Sequence, residues 1–566
     1  MKDETLLKLR SWLFALLALV ALVAAGQLLP IADRMRADLV PHEEGSFGTL
    51  PPAIVLANRA GGIFRALAIN TLWMRATELQ EKGEVFELVQ LYKLITALEP
   101  RFPMVWAYRA WNAAYNVSVK FPAIMGRIFD LSDPRNQPDQ RWVWVQNGIK
   151  TLRDEGIPYN PNAERLYREL AWIYSHKIGQ DMDDAHLYYK VVLALDMEKV
   201  LGKPPYRTTI ERIYNASKTR EKLLADPTVR ALVDALVQAG VDVFGSPLDV
   251  LSRSDALPEA ARTALADPAN ADAAATLDAF LRARYANDTL KLRPAVMWEM
   301  MERYGPVDWR LPEAHALYWT HRGAETMADE DARAGNTARI AFHALAEFYR
   351  RGRLTFHYDP DKPERTLWRT STHFGFMKRA VAFHEAIIKE YKGKYQDNPL
   401  REGFMNFLRE IVLDLYLHTD LKRSREYYKK LQAFGPESKV AYEDFISGRF
   451  LDRMENATIE QNKNLIQSIL LEAVRWASYG DMQQATGREQ LAKLIRKRYN
   501  DKGYRFQMPP VRELYPEAFM WALRRFADWQ IERLDELYPK QMKEGRKRLD
   551  ELRRQAEKPA PAPSPS

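Results

Sequence analysis

The 566-residue chain contains no cysteine, which excludes disulfides, thiolate metal sites and cysteine nucleophiles. A thiol-free chain fits an extracytoplasmic compartment, where stray thiols would be oxidised. Glycine is scarce at 26 residues, and no alternating strand pattern with hairpin turns stands out, so an all-α chain is expected. A phosphate-cradling glycine loop, a Gly-x-Ser-x-Gly elbow and a dinucleotide fingerprint are missing. There is no His-Glu-x-x-His either, since His384-Glu385 continues as Ala386-Ile387-Ile388-Lys389. Excess charge is also small: 83 basic against 75 acidic residues, net +8. No basic run is interleaved with stacking aromatics, so nucleic acid is not expected as a partner. These absences lead to no expected enzyme activity, cofactor or metal.

Long apolar runs are missing with one exception. Trp12–Ile31 reads WLFALLALVALVAAGQLLPI behind Lys2, Lys8 and Arg10, about the ~20 residues needed to cross a hydrocarbon core. The positive end should stay cytoplasmic. The expectation is a single-pass anchor in a bacterial inner membrane, with the bulk of the chain periplasmic. Cleavage after Val23-Ala24-Ala25, as in a signal peptide, is the rival reading.

Beyond a linker at residues 33–58, rich in Pro and Gly, the pattern is of paired amphipathic helices. In the stretch Ala163–Leu195, Tyr167, Leu170, Ala171 and Tyr174 share one helix face, and Ala185, Tyr189 and Val192 repeat the rhythm after Asp181–Asp184. A hairpin of this kind cannot bury its own apolar face, so copies must stack. Ala76, Gly83, Leu88, Tyr92, Ile95 and Pro100 have the spacing of such a hairpin, and Ala76 to Ala110 is a step of 34 residues. Late in the chain Ser424, Tyr428, Leu431 and Pro436 keep the second-helix spacing, and Ala473, Trp476, Gly480, Ala485 and Ala492 give another pair. These segments resemble the tetratricopeptide repeat, degenerate at each copy, with Arg75 and Arg109 standing where a leucine is usual. The resemblance implies a right-handed α-solenoid whose concave groove takes a protein or peptide partner.

The expected order is therefore a stub and anchor at 1–32, the linker at 33–58, and a first repeat block at 59–198. An irregular helical middle follows at 199–335, then a second repeat block at 336–507. A long C-terminal helix at 508–557 with a charged, solvent-projecting end and a disordered tail at 558–566 close the chain. Residues 352–372 read as irregular.

Three constellations are candidates for specific chemistry. Trp111 and Tyr115, in an aromatic band running from Trp106 to Trp144, accompany Asn112 and Asn116, whose amides could clamp an extended peptide. Gly305–His315, GPVDWRLPEAH, gathers Asp308, Trp309, Arg310, Glu313 and His315 at a helix start marked by Pro312. Asp181, Asp183, Asp184 and His186, with His176 upstream, either ligate a cation or cap the second helix of their hairpin. The expected function is a membrane-anchored scaffold for protein partners. The alternative is a polysaccharide lyase or hydrolase on a helical toroid, with Asp308 and Glu313 as its carboxylates and His315 and Tyr318 nearby.

Overall fold

The structure, a computed structural model, describes residues 62–122, 140–252, 257–326, 334–358, 367–393, 397–418, 420–434, 440–451, 459–501 and 507–556, together with seven residues between 12 and 21. The chain divides into two compact units, Met1–Phe383 and His384–Ser566. The boundary falls inside the stretch read from sequence as one C-terminal repeat block. Among the described residues the fold is mostly helical, and no helix is long and apolar enough to cross a membrane. Most of the expected anchor, Trp12–Ile31, lies outside the described residues, as do the 33–58 linker, Pro436 and the 558–566 tail.

In the first unit, α1 (Gly62–Lys82) and α2 (Val85–Leu98) form the hairpin expected around Gly83. Gly83 takes φ +71°, a left-handed conformation that only glycine adopts without strain. Its N–H donates to the Gln80 carbonyl and that of Glu84 to Leu79, closing the helix end. Ala76, Leu88, Tyr92 and Ile95 are buried between the two helices. Next come α3 (residues 103–120), α4 (140–159), α5 (164–178) and α6 (His186–Leu201). Burial follows the apolar face read from sequence in α5, whereas α6 buries residues on every side, and Val191 rather than Val192 is fully enclosed.

Gly148 on α4 lies so close to α3 that an added Cβ would sit 2.8 Å from the Ala110 carbonyl oxygen and 2.9 Å from Ala114 Cβ. Helix propensity alone makes Gly→Ala favourable by about 1 kcal/mol; forced overpacking costs about 1–3 kcal/mol. Overpacking should win, so Gly148→Ala is expected to lower the urea midpoint of the first unit. A raised midpoint would show that the two helices separate freely.

The middle region is two different things. Helices between Arg207 and Arg284 enclose a small core of their own, built from Leu223, Val229, Leu232, Leu236, Leu277 and Phe280 among others. The helix Pro312–Ala324, by contrast, is buried from Pro312 through His321 and packs against α5 and the helix Ala334–Arg351. A helix covered on all sides carries no single apolar stripe, which is why its centrality was not visible in the pattern. Residues 353–357 and 367–371 also depart from the all-helical expectation. They pair as antiparallel strands β1 (Arg353–His357) and β2 (Leu367–Ser371), with Phe356 opposite Trp368 and the rings 5.7 Å apart. Nine residues of sequence separate the two strands, where the sequence signal for a hairpin is a two-residue turn.

The second unit contains the other expected hairpin, Ile459–Ser478 and Met482–Asp501. Its turn repeats the first one. Gly480 has φ +83°, its N–H donates to Ala477, and Asp481 donates to Trp476. The single long C-terminal helix is corrected to three: Val511–Arg525, Asp528–Leu537 and Pro539–Ala556. Phe526 and Ala527 are extended, and Tyr538, preceding Pro539, leaves the helical region as residues before proline do. The charged last helix does not project outward. It packs back on Val511–Arg525 through buried Met542 and Gly545, where a Cβ would meet Phe519 Cβ at 2.9 Å.

Candidate functional site

Three neighbouring helices each carry a π-helical turn: Asn112–Val117 in α3, Thr151–Gly156 in α4 and Ile173–Ile178 in α5. A π turn inserts one residue into the helical repeat and re-aims the side chains after it, and such turns concentrate at functional sites. Tyr115, His176 and Lys177 sit on them. They bring together an aromatic ledge: Trp111 stacks on Tyr115 with centroids 6.0 Å apart, Tyr115 meets His176 at 5.9 Å, and His176 stacks on Trp172 at 4.6 Å. The Tyr115 hydroxyl lies 3.4 Å from His176 Nδ1. Trp111 and Trp172 remain 40% and 41% exposed, so the ledge presents ring faces to solvent rather than filling a core. Burial and the adjacent Lys177 hold the His176 imidazole below its usual range, and burial raises Glu169 despite Arg165 and Arg168. Burial also raises the Tyr115 phenol.

Beneath the ledge is an enclosed ion-pair network. Asp183 Oδ1 accepts from Arg141 at 2.9 Å, from the Ala185 N–H at 2.8 Å and from the Tyr189 hydroxyl at 3.3 Å. Its Oδ2 accepts from Lys177 Nζ at 2.5 Å, and that ammonium also lies 5.3 Å from the Tyr115 ring centroid. Burial pushes the Asp183 carboxyl up, but the Lys177 and Ala185 hydrogen bonds and the two cations together hold it below the usual range. Asp181 is likewise occupied: Lys190 Nζ donates to it at 2.7 Å and His186 Nδ1 lies 3.1 Å away. Asp184 is exposed, 4.0 Å from Arg141. The acidic turn thus serves cations of the chain itself and starts α6, and His176 belongs to the ledge rather than to a ligand set.

Two further expectations are corrected by burial. Asn112 is fully enclosed and donates to the Tyr108 carbonyl at 3.0 Å, while Asn116 Nδ2 donates to Asn112 Oδ1 at 2.7 Å. The two amides satisfy each other and the backbone, so Asn112 is not a peptide clamp. Gly305–His315 is an internal brace. The Arg310 guanidinium lies between Asp308 (2.8 and 3.1 Å) and Glu198 on α6 (2.7 Å). Trp309 is wholly buried, and its carbonyl lies 3.0 Å from His315 Nε2. His315 stacks on Tyr174 at 4.8 Å, and burial drives its imidazole down to about 4. Glu313 is equally enclosed; burial, reinforced by the Glu347 charge, raises it to about 7. The Tyr318 hydroxyl is held between the Arg293 N–H and the Lys291 carbonyl. None of these groups faces an open cleft.

Trp172 was not singled out from sequence, and His176 was read only as a metal-ligand candidate. Their i, i+4 spacing on α5 was available, but which face stays open depends on what packs over it. No protein-family model, curated protein or solved structure matches this chain.

Proposed function

We propose that the chain is a membrane-tethered scaffold of tetratricopeptide-like hairpins, and that the ledge of Trp111, Tyr115, His176 and Trp172 takes an extended segment of a partner polypeptide. The carrying observation is that four rings run in continuous contact across two helices beside a bound ammonium, with Trp111 and Trp172 at either end open to solvent. Flat aromatic faces offer large contact area at low conformational-entropy cost, and exposed aromatic clusters mark interaction surfaces. The matching glycine-closed hairpins near both ends of the chain support the repeat reading. The tether is supported by Trp12–Phe14, Leu16–Leu17 and Val20–Ala21, which are helical and expose apolar side chains, Trp12 at 75%. Confinement to a membrane plane raises effective concentration, so modest contacts on the ledge suffice.

A photo-crosslinking residue at position 108, beside Trp111 and itself exposed, tests this in intact membranes. A discrete set of captured proteins is expected, and Trp111→Ala with Trp172→Ala should reduce capture at least ~tenfold, since removing interface anchors costs upwards of about 1–2 kcal/mol each. Capture unchanged by the double substitution, or purified chain that depolymerises an envelope polysaccharide, overturns the reading.

A further inference from the structure

Away from the ledge, the helices Pro294–Tyr304 and Pro312–Ala324 meet at a second constellation. We infer that Glu299, His321 and Glu325 form a binding site for a divalent transition-metal ion of the Zn²⁺ type. His321 is 92% buried (8% exposed), and its Nε2 has no hydrogen-bond partner. That nitrogen points between two carboxylates: Glu299 Oε1 lies 3.4 Å away and Glu325 Oε1 4.0 Å. All three ligand atoms lie within 4.8 Å of one another. Ligand bonds of about 2.1 Å at tetrahedral angles place donors about 3.4 Å apart. One pair already has this spacing, and the others close by small rotations of exposed glutamate side chains.

The surroundings suit the ion as well. His321 and Glu325 are four residues apart and share a helix face. Arg322 Nε holds the other Glu325 oxygen, Oε2, at 2.8 Å and leaves Oε1 for the metal. The Tyr304 hydroxyl lies 3.5 Å from His321 Nδ1. With Nε2 on the ion, Nδ1 carries the proton and donates to that hydroxyl, the outer-shell contact that orients ligating imidazoles. The nearby Arg303 guanidinium lies 5.4 Å from the Tyr304 ring and opposes the cation. Two carboxylates and a dication sum to zero. One imidazole with two carboxylates favours Zn²⁺ or Co²⁺ over Ca²⁺ and Mg²⁺, which favour all-oxygen ligation. Both glutamates reach solvent, so water can complete the coordination. The ion would clip the two helices together at their outer surface.

The full chain, stripped with chelator, should bind one equivalent of Co²⁺ with a visible ligand-field spectrum that Zn²⁺ abolishes by displacement. Glu299→Gln and Glu325→Gln, both at exposed positions, should weaken binding at least ~tenfold, and His321→Gln should remove the spectrum. Zn²⁺ should also raise the melting temperature of the wild type and not of Glu299→Gln. No ligand-field band in the wild type, or stoichiometric binding unchanged in both glutamate variants, overturns the site.

Discussion

Asp183→Asn is expected to destabilise the first unit by about 4 kcal/mol, because breaking a buried ion pair strands its partners at a cost of about 3–5 kcal/mol. The substitution preserves shape, removes the charge and turns one of two accepting oxygens into an NH2 donor. Arg141 and Lys177, whose side chains are 10% and 5% exposed, would then lose the buried carboxylate they share, leaving Arg141 the exposed Asp184 at 4.0 Å. Lys177→Met should cost less, since Asp183 keeps Arg141 and the Ala185 N–H. The double variant Lys177→Met/Asp183→Asn should recover part of the loss, having one cation fewer to desolvate. Urea unfolding followed by hydrogen exchange in peptides spanning 140–201 measures all three without interference from the second unit. An Asp183→Asn chain within about 1 kcal/mol of wild type would mean that water reaches the network and screens it.

Glu313→Gln should have the opposite sign and a strong pH dependence. Glu313 titrates near 7 in the folded chain against an ordinary 4.5. A raised carboxyl contributes stability that is complete below pH 4.5 and is lost as pH climbs through 7. The difference, 7 − 4.5, is about 2.5 units, or about 3 kcal/mol at 1.36 kcal/mol per unit. Glutamine imitates the protonated acid at every pH. The variant should match wild type near pH 4.5 and exceed its stability by up to about 3 kcal/mol near pH 8. His315, lowered to about 4 from 6.5, runs the other way: its neutral form is favoured, and stability is lost as pH falls from 6.5 towards 4. In wild type the two slopes offset one another between pH 4.5 and 6.5. In Glu313→Gln the histidine slope is no longer offset by Glu313, so stability should rise more steeply across that window than in wild type. A stability difference independent of pH would place the Glu313 carboxyl in contact with water.

Helix content, both glycine-closed hairpins and the buried faces of α1, α2 and α5 were readable along the chain, because 3.6-residue periodicity and left-handed glycines are local properties. Of the ledge, Trp111 and Tyr115 were readable as part of an aromatic band, and Trp172 and the stacking of His176 were not. The division of that band into exposed Trp111 and enclosed Trp106 was not readable. Neither were the π turns, for the same residue string supports an unbroken α-helix until its neighbours dock. Candidate polar groups fared worst. Asn112, Asp308, Arg310 and His315 carry the side chains that binding requires, yet each is committed to internal hydrogen bonds. A polar side chain has the same sequence signature whether it greets a ligand or satisfies a buried neighbour.

The amino-acid order by itself thus determined that this chain folds into helices, where two hairpins turn, and which residues are apolar enough to bury. Tertiary packing alone decided that Pro312–Ala324 is enclosed on every side, that Asp183 neutralises two buried cations, and that Glu299, His321 and Glu325 converge. The reason is physical. Local periodicity is set by bonds a few residues long, whereas the charge state and exposure of a side chain depend on whatever covers it, here residues 112 positions away and more, as between Arg310 and Glu198 or His315 and Tyr174.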